Sequence, residues 1–316
     1  MIDYDIYYRE SLNISEISKI ENIDIFISAF NESERVNILY DNINSKNKYW
    51  FIQPEYNFSD QQIFHLNEKI YTKNFDESKQ VKDIIEYLGE DILGKVIYID
   101  CTGFMRHTLV YFIIKLGILG FKKINIIYSE PCSYINNDKT QFSELCSEVR
   151  AIKGTNFTKR GKKESTIMSI GYDSNLMSQM LNQFEGVELY PLFSFPSLSA
   201  DMFQQSIIKS SNIQFSHIKN SSNNNRHFAP AHDPFSTAKV IAKLVNKIKN
   251  DNIFNIYLSP LSTKAQVIGH TYFWWKEHKT FKDEGVQVNI TLPIPRSYKS
   301  KTSDGVGRIW NYTLEM

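Results

Sequence analysis

The feature that most constrains this chain is a repeated alternation of an apolar β-type run, a polar break and a stretch with helical spacing. IDIFISAF (23–30) precedes NESERVNILYDNI, where Asn31 and Glu34 have the spacing of a capping box and predict a helix start. KYWFIQPEY (48–56) reads as a strand stopped at Pro54. An amphipathic stretch from Glu77 to Leu93 leads into VIYID (96–100). The segment from His107 to Gly120 is apolar nearly all round, which predicts a buried helix, and INIIYSEP (124–131) is a further strand.

The alternation lapses over 132–165, a polar stretch that includes the basic run KRGKKES (159–165), and then resumes. TIMSIGYD (166–173) is followed by a predicted helix from Ser174 to Phe184, VELYPLFSF (187–195) and a helix starting near Ser199. NSSNNNRH (220–227) has the composition of a mobile loop. Asp233 before Pro234 signals a helix start, and FNIYLSPLSTKAQ (254–266) reads as a strand running into a helix that ends near His278. VQVNITLPIP (286–295) is strand-like, and RIWNYTLE (308–315) suits an edge strand. Strands alternating with helices, in near-continuous Ile/Val/Tyr runs, predict an α/β fold with a mostly parallel sheet and helices on both faces. The lapse divides the chain into an N-terminal half, 1–158, and a C-terminal half, 165–316, built as two domains or on one continuous sheet.

Such sheets bind ligands beyond the carboxyl ends of their strands, so the strand-to-helix loops hold the candidates. These are Asn31 and Glu32, Asp100 to Gly103 with Arg106, Glu130, Tyr172 to Asn175, Ser194 and Ser197, then Ser259 and Ser262 to Lys264. Hydroxyls and free N–H groups at helix starts suit a phosphate or another anion. The same residue types are also ordinary helix caps.

Composition excludes several alternatives. Lys+Arg number 36 against 35 Asp+Glu, a net charge of +1, so no broad field draws nucleic acid or membrane. Three cysteines without C-x-x-C spacing argue against a disulfide framework and a thiolate zinc site. The acidic opening MIDYDIYYRE lacks a signal segment, and the apolar run from Leu109 to Leu119, interrupted by Lys115, is too short to span a bilayer. A reducing, cytoplasmic address is the expectation. Neither G-x-G-x-x-G nor G-x-x-x-x-G-K-[ST] occurs, which disfavours an ordinary NAD-dependent dehydrogenase or a P-loop NTPase. Four residues separate Cys101 from Arg106, one fewer than a cysteine-phosphatase loop needs, so Cys101 reads as a small apolar filler. His227, His232 and Asp233 have the chemistry to ligate a metal or supply a base, but a loop cluster of this kind is more often surface, and no metal site is expected. His270 reads as a hydrogen-bonded interior side chain, and Tyr272 to Trp275 as core or a subunit interface.

Two stretches resemble known families. IDIFISAF with NESERV (23–37) resembles the opening of a TIR domain. IDCTGFMRHTLVYFIIKLGILGFKKINIIYSEP, within about residues 96–131, is similar to the central unit of CARF domains, the Rossmann-like sensors of cyclic oligonucleotides. There a strand ends in Asp-x-Thr-Gly, and Asp100, Thr102, Gly103 and Tyr128 stand at the matching positions; Phe104 and Met105 replace the usual second Gly and Thr. The resemblance implies a Rossmann-like sensor or effector of prokaryotic stress or anti-phage defence that binds a nucleotide or other phosphate-bearing small molecule.

On this reading Thr102, Gly103 and Arg106 meet the ligand, and Ser174, Ser262, Thr263 and Lys264 supply further anion contacts. The alternative is a hydrolase or transferase acting on a nucleotide or NAD-like substrate, with Asp100, Glu130, Asp173 or the His232–Asp233 pair as general acid or base. A third reading is a subunit of a homo-oligomer or larger complex, with the helix around Trp274 as its interface. The residues name no cofactor and leave enzyme activity open.

Overall fold

All five residues of the IFISA segment (25–29) are buried, so the strand they form is covered on both faces by helices. This is seen in a computed structural model that describes residues 2–135, 142–183, 186–212 and 226–316. In chain order the elements begin with β1 (Arg9–Leu12), the one-turn helix α1 (Ile14–Ile17), β2 (Ile25–Ala29), α2 (Glu34–Asn42), β3 (Asn47–Ile52), α3 (Asp60–Ile63) and β4 (Lys69–Tyr71). Then come α4 (Glu77–Leu88), β5 (Ile97–Asp100), α5 (Arg106–Leu119), β6 (Lys123–Ser129), β7 (Ser133–Tyr134) and β8 (Ser143–Ala151). The remainder is β9 (Glu164–Ser169), α6 (Ser174–Gln183), β10 (Glu188–Ser194), α7 (Met202–Asn212), β11 (His227–Ala229), α8 (Pro234–Asn250), β12 (Asn255–Pro260), α9 (Lys264–Asp283), β13 (Gln287–Tyr298), β14 (Ser303–Asp304) and β15 (Ile309–Glu315).

The chain divides into two compact units. The first comprises Tyr7–Leu145 and Pro295–Met316, and the second Met1–Ile6 and Cys146–Ile294. The first contains a sheet of order β1-β15-β6-β5-β2-β3-β4 and the second one of order β11-β10-β9-β12-β13-β8. In the first, β6, β5, β2, β3 and β4 are parallel, while β15 runs antiparallel to β6 and β1 antiparallel to β15. In the second, β11, β10, β9, β12 and β13 are parallel.

Both parallel cores are wound alike. The chain enters at the centre (β2 or β9), steps outward twice, returns to the other side of the first strand (β5 or β12), and steps outward again. Each sheet therefore has one topological switch point, between β2 and β5 in the first unit and between β9 and β12 in the second. Right-handed crossovers in opposite directions put α2 and α5 on opposite faces of the first sheet. Phe26, Leu39, Ile43, Ile127 and Ile309 pack together on the α2 side. Burial of each such side chain stabilises the fold by about 1.5–3 kcal/mol. The apolar segment predicted to be a buried helix is α5, with Leu109, Val110, Phe112, Ile113 and Leu116 all buried.

The α/β architecture is the one expected; its division along the chain is not. The described residues form two large sheets and a two-stranded one, so of the two alternatives left open the single continuous sheet is not found, and the units cross after residues 6, 145 and 294 instead of dividing near 158–165. The physical reason is long-range pairing: RIWNYTLE returns to lie between β6 and β1 and is an interior strand, not an edge. α2 begins two residues later than the Asn31–Glu34 spacing suggested, with Ser33 at its N-cap, because the Asn31 side chain accepts the Ser33 N–H at 2.9 Å and closes a turn instead. α4 stops at Leu88, before Gly89 at φ +81°, while α9 continues to Asp283. The predicted loop at 220–227 lies for the most part outside the described residues, as does Phe184. No helix among the described residues is long and apolar enough to cross a membrane.

Candidate functional site

At the first switch point the exit loops of β2 and β5 touch. A Cβ on Gly103 would sit 2.0 Å from the Ala29 carbonyl oxygen, so only glycine lets the loops come this close. The loop after β5 is held from within. Asp100, fully buried, accepts the Ser28 hydroxyl at 2.8 Å and the Thr102 N–H at 2.9 Å. The Thr102 hydroxyl accepts the Ser129 N–H at 3.0 Å, which joins β5 to β6, and Tyr56 donates its hydroxyl to the Gly103 carbonyl at 2.7 Å. Burial raises the Asp100 pKa above its ordinary value, opposed by hydrogen bonds from Thr102 and Ser28 and by the Arg35 charge. Asp100 and Thr102 thus set the shape of the loop, and their polar atoms point inward.

The charge facing this loop comes from Arg35, in the first turn of α2. Its Nε donates to the Ser33 hydroxyl at 3.3 Å and its Nη1 to the Ser129 carbonyl at 2.6 Å, so the guanidinium reaches from β2's helix to β6 across the exit of β5. Among the described residues Arg35 is half-buried and makes no ion pair with a carboxylate. Arg106, also half-buried, opens α5 from the other side of the loop. Tyr134 lies within the field of both arginines, which lowers its phenol pKa against a larger rise from burial. Two arginines over a switch-point crevice form an electropositive seat with planar, bidentate donors.

Behind the loop lies a buried polar network that none of the strand-exit candidates included. The Gln53 side-chain oxygen accepts the N–H of Met105, the N-cap residue of α5, at 2.9 Å. Thr108 donates its hydroxyl to Gln80 at 2.6 Å, and Gln80 donates to Glu55 Oε1 at 2.8 Å. His107 Nε2 lies 3.1 Å from the same Oε1, with both residues essentially inaccessible (1% and 0% exposed), while Glu55 Oε2 has no hydrogen-bond partner. KYWFI is an evident strand, so its exit Gln53–Glu55 satisfied the same rule as the other loops. Arg35 and Ser33 were equally within reach of that rule, had it extended one turn into the helix.

The other expected residues fall as follows. Glu130, at the end of β6, is locked by the Trp310 Nε1–H at 2.7 Å and Arg308 Nε at 3.0 Å. Asp173, Ser174, Ser262, Thr263 and Lys264 all belong to the second unit, at its own switch point, where a Cβ on Gly171 would lie 2.1 Å from the Leu261 carbonyl oxygen. There Asp173 caps α6 through the Asn175 and Leu176 N–H groups, and Ser174 is the first residue of that helix. Ser262 and Ser194 share a hydroxyl contact of 2.9 Å, Thr263 donates to the Ala231 carbonyl at 2.5 Å, and Lys264 begins α9. The residues expected to meet one ligand are therefore divided between two crevices, one in each unit.

Deeper in the second unit His270 meets Ser169 at 2.7 Å; both are fully buried, and burial pushes the imidazole pKa down to about 3. Asp233 is the N-cap of α8, accepting from Phe235 and Ser236, and the described residues contain no His/Cys/Asp/Glu group placed to hold a metal ion. Tyr272, Phe273 and Trp274 are core, with Trp274 Nε1 donating to the Val288 carbonyl at 2.9 Å. Cys101 is fully buried. No protein-family model, curated protein or solved structure matches this chain.

Proposed function

We propose that the first unit binds a nucleotide-like, phosphate-bearing small molecule at the β2–β5 switch point and acts as a sensor or effector. The observation that carries this reading is Arg35: a half-buried guanidinium that makes no ion pair with a carboxylate among the described residues, held over the carboxyl ends of three parallel strands. A phosphate at this place takes its charge complement from Arg35 and Arg106 and hydrogen bonds from the Ser33 hydroxyl and the start of α2. Asp100, Thr102 and Gly103 shape the loop rather than touch the ligand. The resemblance of residues 96–131 to CARF domains supports the same ligand class and a prokaryotic stress or anti-phage role.

The test is calorimetric titration of the full chain with ATP, NAD and cyclic oligonucleotides. Removing a charge-assisted contact costs about 1.5–3 kcal/mol, so Arg35→Ala should weaken binding of whichever nucleotide binds by roughly 10- to 100-fold. Unchanged affinity in that variant refutes the site.

A second reading, a hydrolase or transferase on a nucleotide or NAD-like substrate, rests on the Glu55–His107 pair. An acid and an imidazole 3.1 Å apart, adjoining Tyr56 and Arg106 in sequence, form an acid–base couple at the back of the crevice. Chromatography of nucleotide incubated with wild type and Glu55→Gln decides it: product from the wild type alone supports turnover, and bound but intact nucleotide supports the sensor.

A further inference from the structure

Past the carboxyl end of β6, the β6–β15 ladder continues through Glu130, whose N–H donates to the Arg308 carbonyl at 2.8 Å while its own carbonyl accepts the Gly307 N–H at 2.8 Å. It ends in a small two-stranded arm in which Ser303 pairs with Tyr134 and Asp304 with Ser133. The arm does not stand free in solvent. It folds back across the exit of β5 to the exits of β2 and β3. The Ser303 hydroxyl lies 3.3 Å from the Ser33 hydroxyl, Ser300 donates to the Glu32 carboxylate, and the Tyr298 ring meets the Tyr56 ring edge-on with centroids 5.9 Å apart. Ser303 and Ser33 are 1% and 3% exposed, so each covers the other.

Three properties distinguish this arm from an ordinary extension of the sheet. Its own ladder is two pairs long, against seven for β15 on β6. Among the described residues its contacts with the crevice include hydroxyl bonds and a ring edge, and hydroxyl bonds part without exposing apolar surface. The Ser303 hydroxyl also occupies a meaningful place: it bonds the N-cap side chain of α2, and that side chain in turn accepts from Arg35 Nε. An oxygen at the N-cap of a helix, next to an arginine, stands where an anionic oxygen would stand.

We propose that the β7–β14 arm is a lid over the β2–β5 crevice, with Ser303 holding the anion seat in the ligand-free protein and leaving it when a phosphate oxygen binds Ser33 and Arg35. This rests on the reading of the crevice as a ligand site. In the closed state the lid and the ligand compete for the Ser33 hydroxyl. Lid closure therefore reduces the apparent affinity to the intrinsic affinity times the open fraction, and weakening the lid contact tightens ligand binding.

Hydrogen exchange of the full chain tests the lid without any ligand. The Lys299 N–H, bonded to the Phe142 carbonyl at 2.9 Å, and the Ile135 N–H, bonded to Thr302 at 3.2 Å, report on the arm. These amides should exchange at least about tenfold faster than those of β15. Ser303→Ala and Ser300→Ala should speed them further and leave β5, β6 and β15 unchanged. Arm amides as slow as β15, and unmoved by either substitution, overturn the lid. A second arm of the experiment adds ATP. Protection of the Arg35 turn with faster exchange at Lys299, and tighter ATP binding by Ser303→Ala, support displacement. ATP binding with the arm undisturbed overturns it. Absence of ATP binding to the wild type counts against the ligand reading alone, because the ligand-free exchange still decides the lid.

Discussion

Replacing Gly103 by alanine adds one methyl group where the backbone of β2 already stands. The new Cβ would lie 2.0 Å from the Ala29 carbonyl oxygen and 3.0 Å from its carbon, more than an ångström inside ordinary van der Waals contact. Neither atom belongs to a flexible side chain, so one of the two strand exits must retreat. Retreat is opposed by the bonds that fix the loop: Tyr56 hydroxyl to Gly103 carbonyl, Thr102 N–H to Asp100, Ser129 N–H to Thr102 hydroxyl, and Met105 N–H to Gln53. Overpacking costs about 1–3 kcal/mol, and each bond lost adds about 0.5–1.5 kcal/mol. With one or two bonds lost, the expected destabilisation is about 3–4 kcal/mol. In a unit of this size that corresponds to a fall in Tm of roughly 6–15 °C. The control is Gly94→Ala. Gly94 has φ +85° but open space around its Cβ, so it isolates backbone strain of about 1–2 kcal/mol without a clash. Urea denaturation followed by circular dichroism measures both. The reasoning is refuted if Gly103→Ala costs less than Gly94→Ala, or less than about 0.5 kcal/mol.

Other perturbations separate the two units. His270 has a folded pKa of about 3 against 6.5 unfolded, so its contribution is present above pH 6.5 and lost as the pH falls, by roughly 3 kcal/mol at pH 4. His270→Gln keeps a partner for Ser169 and should remove that acid sensitivity; equal losses of urea midpoint in variant and wild type between pH 7 and 4 would contradict this. Asp100 has the opposite sign: its folded pKa is raised above 3.8, so its contribution is complete below that value and is lost as the pH rises through the folded pKa. Wild type should therefore gain stability relative to Asp100→Asn on going from pH 7 to pH 3.5, and a difference independent of pH excludes the buried carboxylate as its source. His107→Leu leaves the Glu55 carboxylate buried with Gln80 as its remaining partner and should cost about 3–5 kcal/mol. Glu55→Leu in the same chain should recover part of that loss, and additive losses in this double-mutant cycle would show that the pair is uncoupled.

The elements legible in the sequence were those whose burial is local. VIYID, INIIYS and the all-apolar α5 announce themselves because both faces of a central strand and all sides of a buried helix need apolar residues. Of the strands that were missed, β1, β4, β7, β11 and β14 are two to four residues long and carry no period to detect, while the nine-residue β8 lies in the polar stretch 132–165, where SELCSEVRA lacks the apolar run of a central strand. RIWNYTLE was recognisable as a strand, but its interior place depends on Arg9–Leu12 pairing with it from the far end of the chain. The same distinction holds at the site. Asp100, Thr102 and Gly103 stand out because a polar break after a buried strand is a local pattern. Their roles did not follow, since which atoms point inward depends on Ser28, Tyr56 and Ser129, none of them neighbours in sequence. Glu55 and His107 are 52 residues apart, and only the fold makes them a pair.

The interior place of β15 also orders events during synthesis. Residues 309–315 fill the gap between β6 and β1, so the sheet of the first unit stays open along one side of β6 until that segment has been synthesised and has paired. The second unit draws its strands from residues that emerge earlier and completes its sheet while the first still waits. For that interval β6, made of KINIIYS, presents an unpaired apolar edge to the cell. A strand of that kind is a template for pairing with other chains. The hazard is therefore greatest before residues 309–315 have paired, and a chain without them would make that interval permanent.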